Sequence, residues 1–301
     1  DAPIALVVAT HPHLDHVRGI PQLFELHGDR IAEYWDPGYY HVLAEYHSTM
    51  LEVEKRKDLV YAQPTSGYRR WISDVAITVL SPSVQLRNRY DSYGIEINDS
   101  SISLRIEFPV HRYLEDRKDT EEGQPVDAPR TRSLILGADA QTTSWAYVLG
   151  DFPYLHRSET PAAKAIAAAQ GDVDLLAGDV LKVSHHGSKH GVNLELVERI
   201  GPKVTLISSV AEQGQFNFPH TVAQELIREA LHPTKGLGDH PEDFDRDVGL
   251  FYTADVDSGG ATLGTVGLVM SDQGCSMWRF GDEPAGEIDL GAARRWTVDV
   301  W

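Results

Sequence analysis

Cysteine is almost absent from this sequence: Cys275 stands alone among 301 residues. A single thiol excludes an internal disulfide and a cysteine-built zinc site, so any metal must be held by histidine and carboxylate. No apolar run is long enough to span a bilayer and no signal peptide is evident, which reads as a cytoplasmic chain without a membrane segment. Basic residues are also scarce, 27 Lys and Arg against 45 Asp and Glu, giving a net charge of −18. Proteins that grip duplex nucleic acid usually carry a basic stripe, so duplex binding is not expected. A local phosphoester site is still compatible with this charge, because bound divalent ions make their surroundings positive. No internal repeat is present, and nothing specifies an oligomeric state.

Histidine, by contrast, is plentiful and clustered. Thr10-His11-Pro12-His13-Leu14-Asp15-His16 follows directly on the apolar run Ile4-Ala5-Leu6-Val7-Val8-Ala9. Such a run, bounded by a polar turn, reads as a buried strand, and the loop at a strand's C-terminal end is where α/β proteins place their chemistry. A bare His-x-His turn reads most simply as solvated. Three imidazoles and a carboxylate crowded at a buried strand's end instead suit zinc or its first-row neighbours. His11 and His13, two apart on an extended loop, can share one ion, and Asp15 and His16 can turn to a second position nearby, as in two-metal hydrolytic centres.

The remainder repeats one pattern of strand, polar loop and helix, the signature of a layered α/β fold with its site along one sheet edge. A short helix is expected over Val17 to Leu26, with Pro21 in its first turn. A longer amphipathic helix is expected over 39–57, placing His41 and His47 on its surface. Val75 to Leu80 reads as a strand, and Ile102, Leu104, Ile106 and Phe108 alternate as in a half-buried one. The charged stretch 114–130 reads as a surface insertion. Ser133 to Leu136 delivers Gly137-Ala138-Asp139, a carboxylate placed to bridge two ions, and is preferred to the later Gly150-Asp151. An alanine-rich helix is expected over 161–170. Asp179 to Val183 enters Ser184-His185-His186-Gly187-Ser188, and Asn193 then caps a helix stopped by Gly201-Pro202. Val204 to Ile207 makes a further strand. Asn217-Phe218-Pro219-His220 precedes a helix for which Thr221 and Gln224 form a capping box. An acidic loop is expected over 236–251, followed by a closing hairpin over 261–270 and 276–280.

Together these stretches resemble the metallo-β-lactamase superfamily, whose best known motif, HxHxDH, is matched by His11, His13, Asp15 and His16. They are most similar to the branch containing the hydrolase domain of the DNA-uptake protein ComEC. Its other motifs appear here as Asn98-Asp99-Ser100-Ser101, Gly137-Ala138-Asp139 and Lys182-Val183-Ser184-His185-His186-Gly187-Ser188. The resemblance implies one domain over 1–301 with a four-layer αββα sandwich. It implies one or two ions, Zn2+ with Mn2+ or iron as alternatives. His11 and His13 would serve the first, Asp15 and His16 the second, Asp139 would bridge, and one of the pair His185 and His186 would complete the second site, His185 being preferred.

Three departures accompany the resemblance. The strands that usually open the fold before HxHxDH are absent, which reads as a trimmed or fragmentary N-terminus. Arg18-Gly19 replaces the usual glycine pair, and the first ion lacks a third histidine, for which His111 is a stand-in. The implied reaction is metal-assisted hydrolysis of a phosphodiester, in a small molecule or in single-stranded nucleic acid. In it Asp15 orients the attacking water or takes its proton, and His186 or His220 protonates the leaving group. His220 could equally do no more than cap the following helix. The alternatives are hydrolysis of a small lactone, amide or phosphoester, and a non-catalytic binding protein on the same fold.

Overall fold

The structure is a computed structural model. It describes residues 2–88, 96–108, 131–153, 160–162, 164–165, 174–210, 215–231, 249–256, 262–271, 274–281 and 294–297. The 114–130 insertion and His111 lie outside these residues, as do most of the expected 161–170 helix and all of 236–248.

A small parallel sheet comes first, assembled from β1 (Val7–Val8), β2 (Glu33–Trp35) and β3 (Val60–Ala62) in that order. β1 is shorter than the apolar run that produces it, because Ile4 makes only an isolated bridge to Ile31. α1 (Leu14–Val17) and α2 (Ile20–His27) follow β1, with Pro21 in the first turn of α2 as expected. α3 covers Ala44–Lys55, five residues short of the expected start. Leu43 is extended and its N–H donates to Nδ1 of His41, so this side chain takes the donor that an earlier helix would have used. His41 therefore sits in the loop leaving β2 and not on α3.

The large sheet runs in sequence order from β4 (Arg69–Ile72) through β5 (Val75–Ser81), which α4 (Val84–Arg87) follows, β6 (Ser103–Phe108) and β7 (Arg132–Leu136). α5 (Thr142–Asp151) crosses to β8 (Val180–Lys182), α6 (Leu194–Ile200) to β9 (Val204–Val210), and α7 (Thr221–Leu231) to β10 (Leu250–Val256). The four strands β7 to β10 are mutually parallel, as helical crossovers require. β11 (Thr262–Ser271), β12 (Gly274–Gly281) and β13 (Arg294–Thr297) continue the sheet antiparallel. The expected acidic loop therefore ends before Leu250, where β10 begins.

Alternation along the strands assigns the layers. On β2, Tyr34 packs with Phe24 and Val53 of the helices, whereas Trp35 packs with Ile77, Val79 and Leu104 of the large sheet. On β5, Val79 faces that inter-sheet core, while Leu80 joins Trp145, Leu196 and Ile227 of α5, α6 and α7. Helices α2 and α3, small sheet, large sheet and helices α5 to α7 thus make the four-layer αββα sandwich. Beside the small sheet, Val266, Leu268, Met270 and Met277 of the β11–β12 hairpin pack against Val180, Val204 and Leu206.

Two local expectations are corrected. β6 is buried on both faces: Arg105 is 3% and Glu107 2% exposed, although alternation alone suggests a solvated face. The two charges pair with each other, Arg69 donates to Glu107 (2.8 Å) and Arg105 Nε donates to the Ala177 carbonyl (3.1 Å), so each buried ion faces an opposite charge. At α7 the helix starts at Thr221 and the Gln224 N–H donates to the His220 carbonyl, so Thr221 is inside the first turn and not the cap of a capping box. The cap is His220, whose Nδ1 accepts the Val222 N–H. Asn193 does cap α6, through the N–H of Leu196, and left-handed Gly201 ends it.

Candidate metal centre

The small sheet delivers the first half of the site. β1 ends at Val8, the following Ala9 is pinned by its N–H to the Trp35 carbonyl, and the chain bends at His11 and Pro12. His13 is the N-cap of α1, its carbonyl accepting from the N–H groups of His16 and Val17. This bend splits HxHxDH: His11 and His13 stay on the loop, while Asp15 and His16 ride the helical turn. The Thr10 hydroxyl stands 3.2 Å from Nδ1 of His11 and 3.3 Å from Nδ1 of His16, holding a ring from each half. His11 is wholly buried, with Nε2 3.1 Å from Nδ1 of His13. The Asp15 side chain is 66% exposed.

The large sheet delivers the rest from two neighbouring parallel strands. After β7, left-handed Ala138 (φ 47°) turns Asp139 inward, where it is 2% exposed. Asp139 Oδ2 lies 3.4 Å from Nε2 of His16 and 3.9 Å from Nε2 of both His11 and His185. Its other oxygen, Oδ1, is buried without a hydrogen-bond partner. Asp151, the rejected alternative, is the exposed last residue of α5.

After β8, His185 and His186 both adopt left-handed backbone (φ 47° and 53°), which non-glycine residues adopt at a cost and which clusters at functional sites. His186 donates Nδ1–H to the Ser208 carbonyl (2.8 Å), leaving Nε2 4.0 Å from Asp15 Oδ2. His185 turns Nδ1 to the Asn98 side-chain amide at 3.5 Å. Phe218 lies against both rings, its centroid 5.1 Å from that of His185 and 6.1 Å from that of His186.

One ligand atom each from Asp15, His16, Asp139 and His186 lie within 4.8 Å of one another. His11, His13 and His185 border this group through the contacts above. His220 stands apart from these contacts, its ring capping α7 and its N–H donating to the Gly187 carbonyl. Thr10, Asn98, Ser208 and Phe218 were not among the candidate residues. Thr10 and Phe218 lie beside candidate histidines in sequence and Asn98 inside a motif, whereas the Ser208 carbonyl carries no sequence signal.

Burial, then the charge of His16, lowers the His11 pKa from 6.5 to about 3, so this ring is neutral and its lone pair available. Burial likewise lowers His185. For Asp139 burial raises the pKa, but the hydrogen bond and charge of His16 with the charges of His11 and His185 reverse this, and the carboxyl ends well below the usual range. A histidine whose folded pKa lies below its unfolded one is protonated first in the unfolded chain. Its contribution to stability is complete above about pH 6.5 and is lost as the pH falls toward 3. Urea melts of chelator-treated protein are expected to show this loss between those limits, and His11→Gln to flatten it. An unchanged slope in the variant would contradict a buried neutral His11.

No family model matches this chain, and no curated protein matches it. Among solved structures it is similar to a mutant of CmlA beta-hydroxylase, with a TM-score of 0.38 and 10% identity over 85% of this chain and 44% of that one. It is similar also to CmlA, a diiron beta-hydroxylase from Streptomyces venezuelae, with a TM-score of 0.37 and 10% identity over 84% and 44%. The chain spans less than half the length of these structures.

Proposed function

We propose that this chain is a metal-dependent hydrolase of the metallo-β-lactamase superfamily, of the ComEC-like branch, acting on a phosphodiester in a small molecule or in single-stranded nucleic acid. One observation carries the reading: side chains from three strand ends converge on Asp139, whose Oδ1 is buried and unpartnered. A bare buried carboxylate oxygen is costly, and a cation among imidazoles is the partner that this donor set suits. The residues fit one or two ions, Zn2+ first and Mn2+ or iron as alternatives. His11 and His13 would hold one, Asp15 and His16 the other, with Asp139 reaching both and the His185–His186 pair closing the centre. When bound, such ions supply Lewis acidity and lower the pKa of a water toward neutrality.

The chain's own groups then have distinct tasks. Asp15, exposed at the mouth, orients the incoming water and accepts its proton at a carboxylate oxygen. Neutral His11 forms the dry floor, and Phe218 excludes solvent beside the paired histidines. The leaving-group proton comes from His186, which belongs to the close group, or from His220, whose Nδ1 accepts from Val222 so that its neutral ring carries the proton on Nε2. The net charge of −18 favours a second reading, hydrolysis of a smaller phosphoester, lactone or amide.

A screen of metal-loaded protein decides among these readings. Bis-p-nitrophenyl phosphate and single-stranded DNA are expected to be cleaved, a lactone and a β-lactam not, and Asp15→Ala to abolish turnover. Cleavage of the lactone alone would support the second reading. Activity surviving in Asp15→Ala would remove the role given to Asp15. Protein binding under one equivalent of metal and inert on every substrate would leave a binding protein.

A further inference from the structure

The paired histidines point at different halves of the centre. His186 belongs to the close group with Asp15, His16 and Asp139, and its Nε2 approaches Asp15. His185 is not in that group, and its Nε2 approaches Asp139 from 3.9 Å. In this it matches His11, whose Nε2 lies at the same 3.9 Å from the same oxygen, Asp139 Oδ2. Two successive left-handed residues make this divergence possible, setting the ring centroids 6.4 Å apart with planes at 63°. Each ring is held from behind at Nδ1, His186 by the Ser208 carbonyl and His185 by the carboxamide of Asn98, with Nε2 turned toward the carboxylates.

We propose that the pair is divided between two cation positions: His185 completes the His11–His13 position through Nε2, His186 completes the Asp15–His16 position, and Asn98 is the positioning residue for His185. This rests on the two-ion reading above. It supplies the third histidine that the first position lacks in the sequence, and it takes His185 away from the second.

Asn98 is suited to its task because it can serve both states of the ring. A histidine that binds a cation through Nε2 keeps its proton on Nδ1 and needs an acceptor there. Asn98 now presents Nδ2 to His185, and its Oδ1 is buried without a partner. A half-turn of the carboxamide exchanges the two, so that Oδ1 accepts the Nδ1–H. The residue is 7% exposed and its turn is tied down on several sides. Asp99 accepts from the N–H and hydroxyl of Ser144 in the first turn of α5, the Ser81 hydroxyl donates to the Ser101 carbonyl, and the Ile102 N–H donates to the Thr10 carbonyl.

Calorimetric titration with Zn2+ tests the division. Wild-type protein is expected to bind two equivalents. His185→Gln should weaken the same step as His13→Gln, and His186→Gln the same step as His16→Gln, with each same-position double variant little worse than its worse single variant. Asn98→Ala should weaken the His13 step about 10–100-fold, while Asn98→Asp, which keeps an acceptor, should not. If a histidine variant fails to fold, 15N-histidine wild-type protein with one equivalent of Co2+ provides the answer. The His185 ring signals should broaden together with those of His11 and His13, or stay sharp while those of His16 and His186 broaden.

Weakening of one and the same step by His185→Gln and His186→Gln would overturn the division while leaving the two-ion reading intact. So would broadening of His185 together with His16. An Asn98→Ala variant that binds as wild type, or an Asn98→Asp variant as weak as it, would remove the positioning role. Wild-type protein that binds fewer than two equivalents would overturn both the division and the two-ion reading.

Discussion

Replacing Asp139 with asparagine is expected to reduce hydrolysis by about 10^3-fold or more and to lower metal content below that of wild type. The substitution keeps the shape of the side chain and removes only its charge. That charge matters because Oδ2 is within 4 Å of imidazole nitrogens of His16, His11 and His185, from both sheets. An amide offers one acceptor in place of two and turns an N–H toward groups that must themselves remain acceptors of a cation. Asp139→Asn also removes a carboxylate whose depressed pKa stabilises the metal-free fold above the usual carboxylate range, a contribution otherwise lost as the pH falls below it. Elemental analysis after gel filtration, with kcat on whichever substrate the screen identifies, checks the result. Full metal content in the variant would mean that the convergence on Asp139 is not what holds the ions.

The largest stability effect is expected at Gly137. A Cβ built there would lie 2.2 Å from Ser184 Oγ and 3.0 Å from the Lys182 carbonyl oxygen and the Ser184 nitrogen. The serine hydroxyl could rotate away only by giving up its hydrogen bond to the Gly137 carbonyl, and the two backbone atoms cannot move without parting β7 from β8. Gly137→Ala is therefore expected to cost about 2–4 kcal/mol, with activity lost alongside because Asp139 and His185 hang from the ends of those two strands. Gly150→Ala is the control. It lies within α5 with nothing within 4 Å of the added carbon, so it should be neutral or stabilising by up to about 1 kcal/mol. Equal melting of the two variants in urea would contradict this account.

The sequence was most readable where chemistry and neighbours coincide. HxHxDH is contiguous and follows an apolar run, and Asp139 follows a strand and a glycine, so these strand ends could be found by pattern. The four-layer architecture came from a resemblance carried by such motifs, and the strand alternation of Tyr34 against Trp35, or Val79 against Leu80, then accounts for it physically. What could not be read depends on contacts between distant residues. Arg105 and Glu107 look solvated in a window of sequence, yet Arg69 and the Ala177 carbonyl make their burial possible. The start of α3 was displaced by one side-chain hydrogen bond from His41, and the cap of α7 by another from His220. The facing of His185 and His186 depends on backbone angles that no pattern of residue types encodes, and on Asn98, 87 residues away.

The Thr10 hydroxyl makes the two halves unlike before any ion arrives. It owns one proton and stands between Nδ1 of His11 and Nδ1 of His16. A hydroxyl that donates to one of these Nδ1 atoms can only accept at the other, whose ring then carries its proton on Nδ1 and presents a bare Nε2. The ring that receives the hydroxyl proton keeps its own proton on Nε2 while neutral, and that proton must migrate and the hydroxyl rotate before its Nε2 is free. One rotor thus gives the two positions different readiness, and the state of one ring is transmitted to the other through a single oxygen.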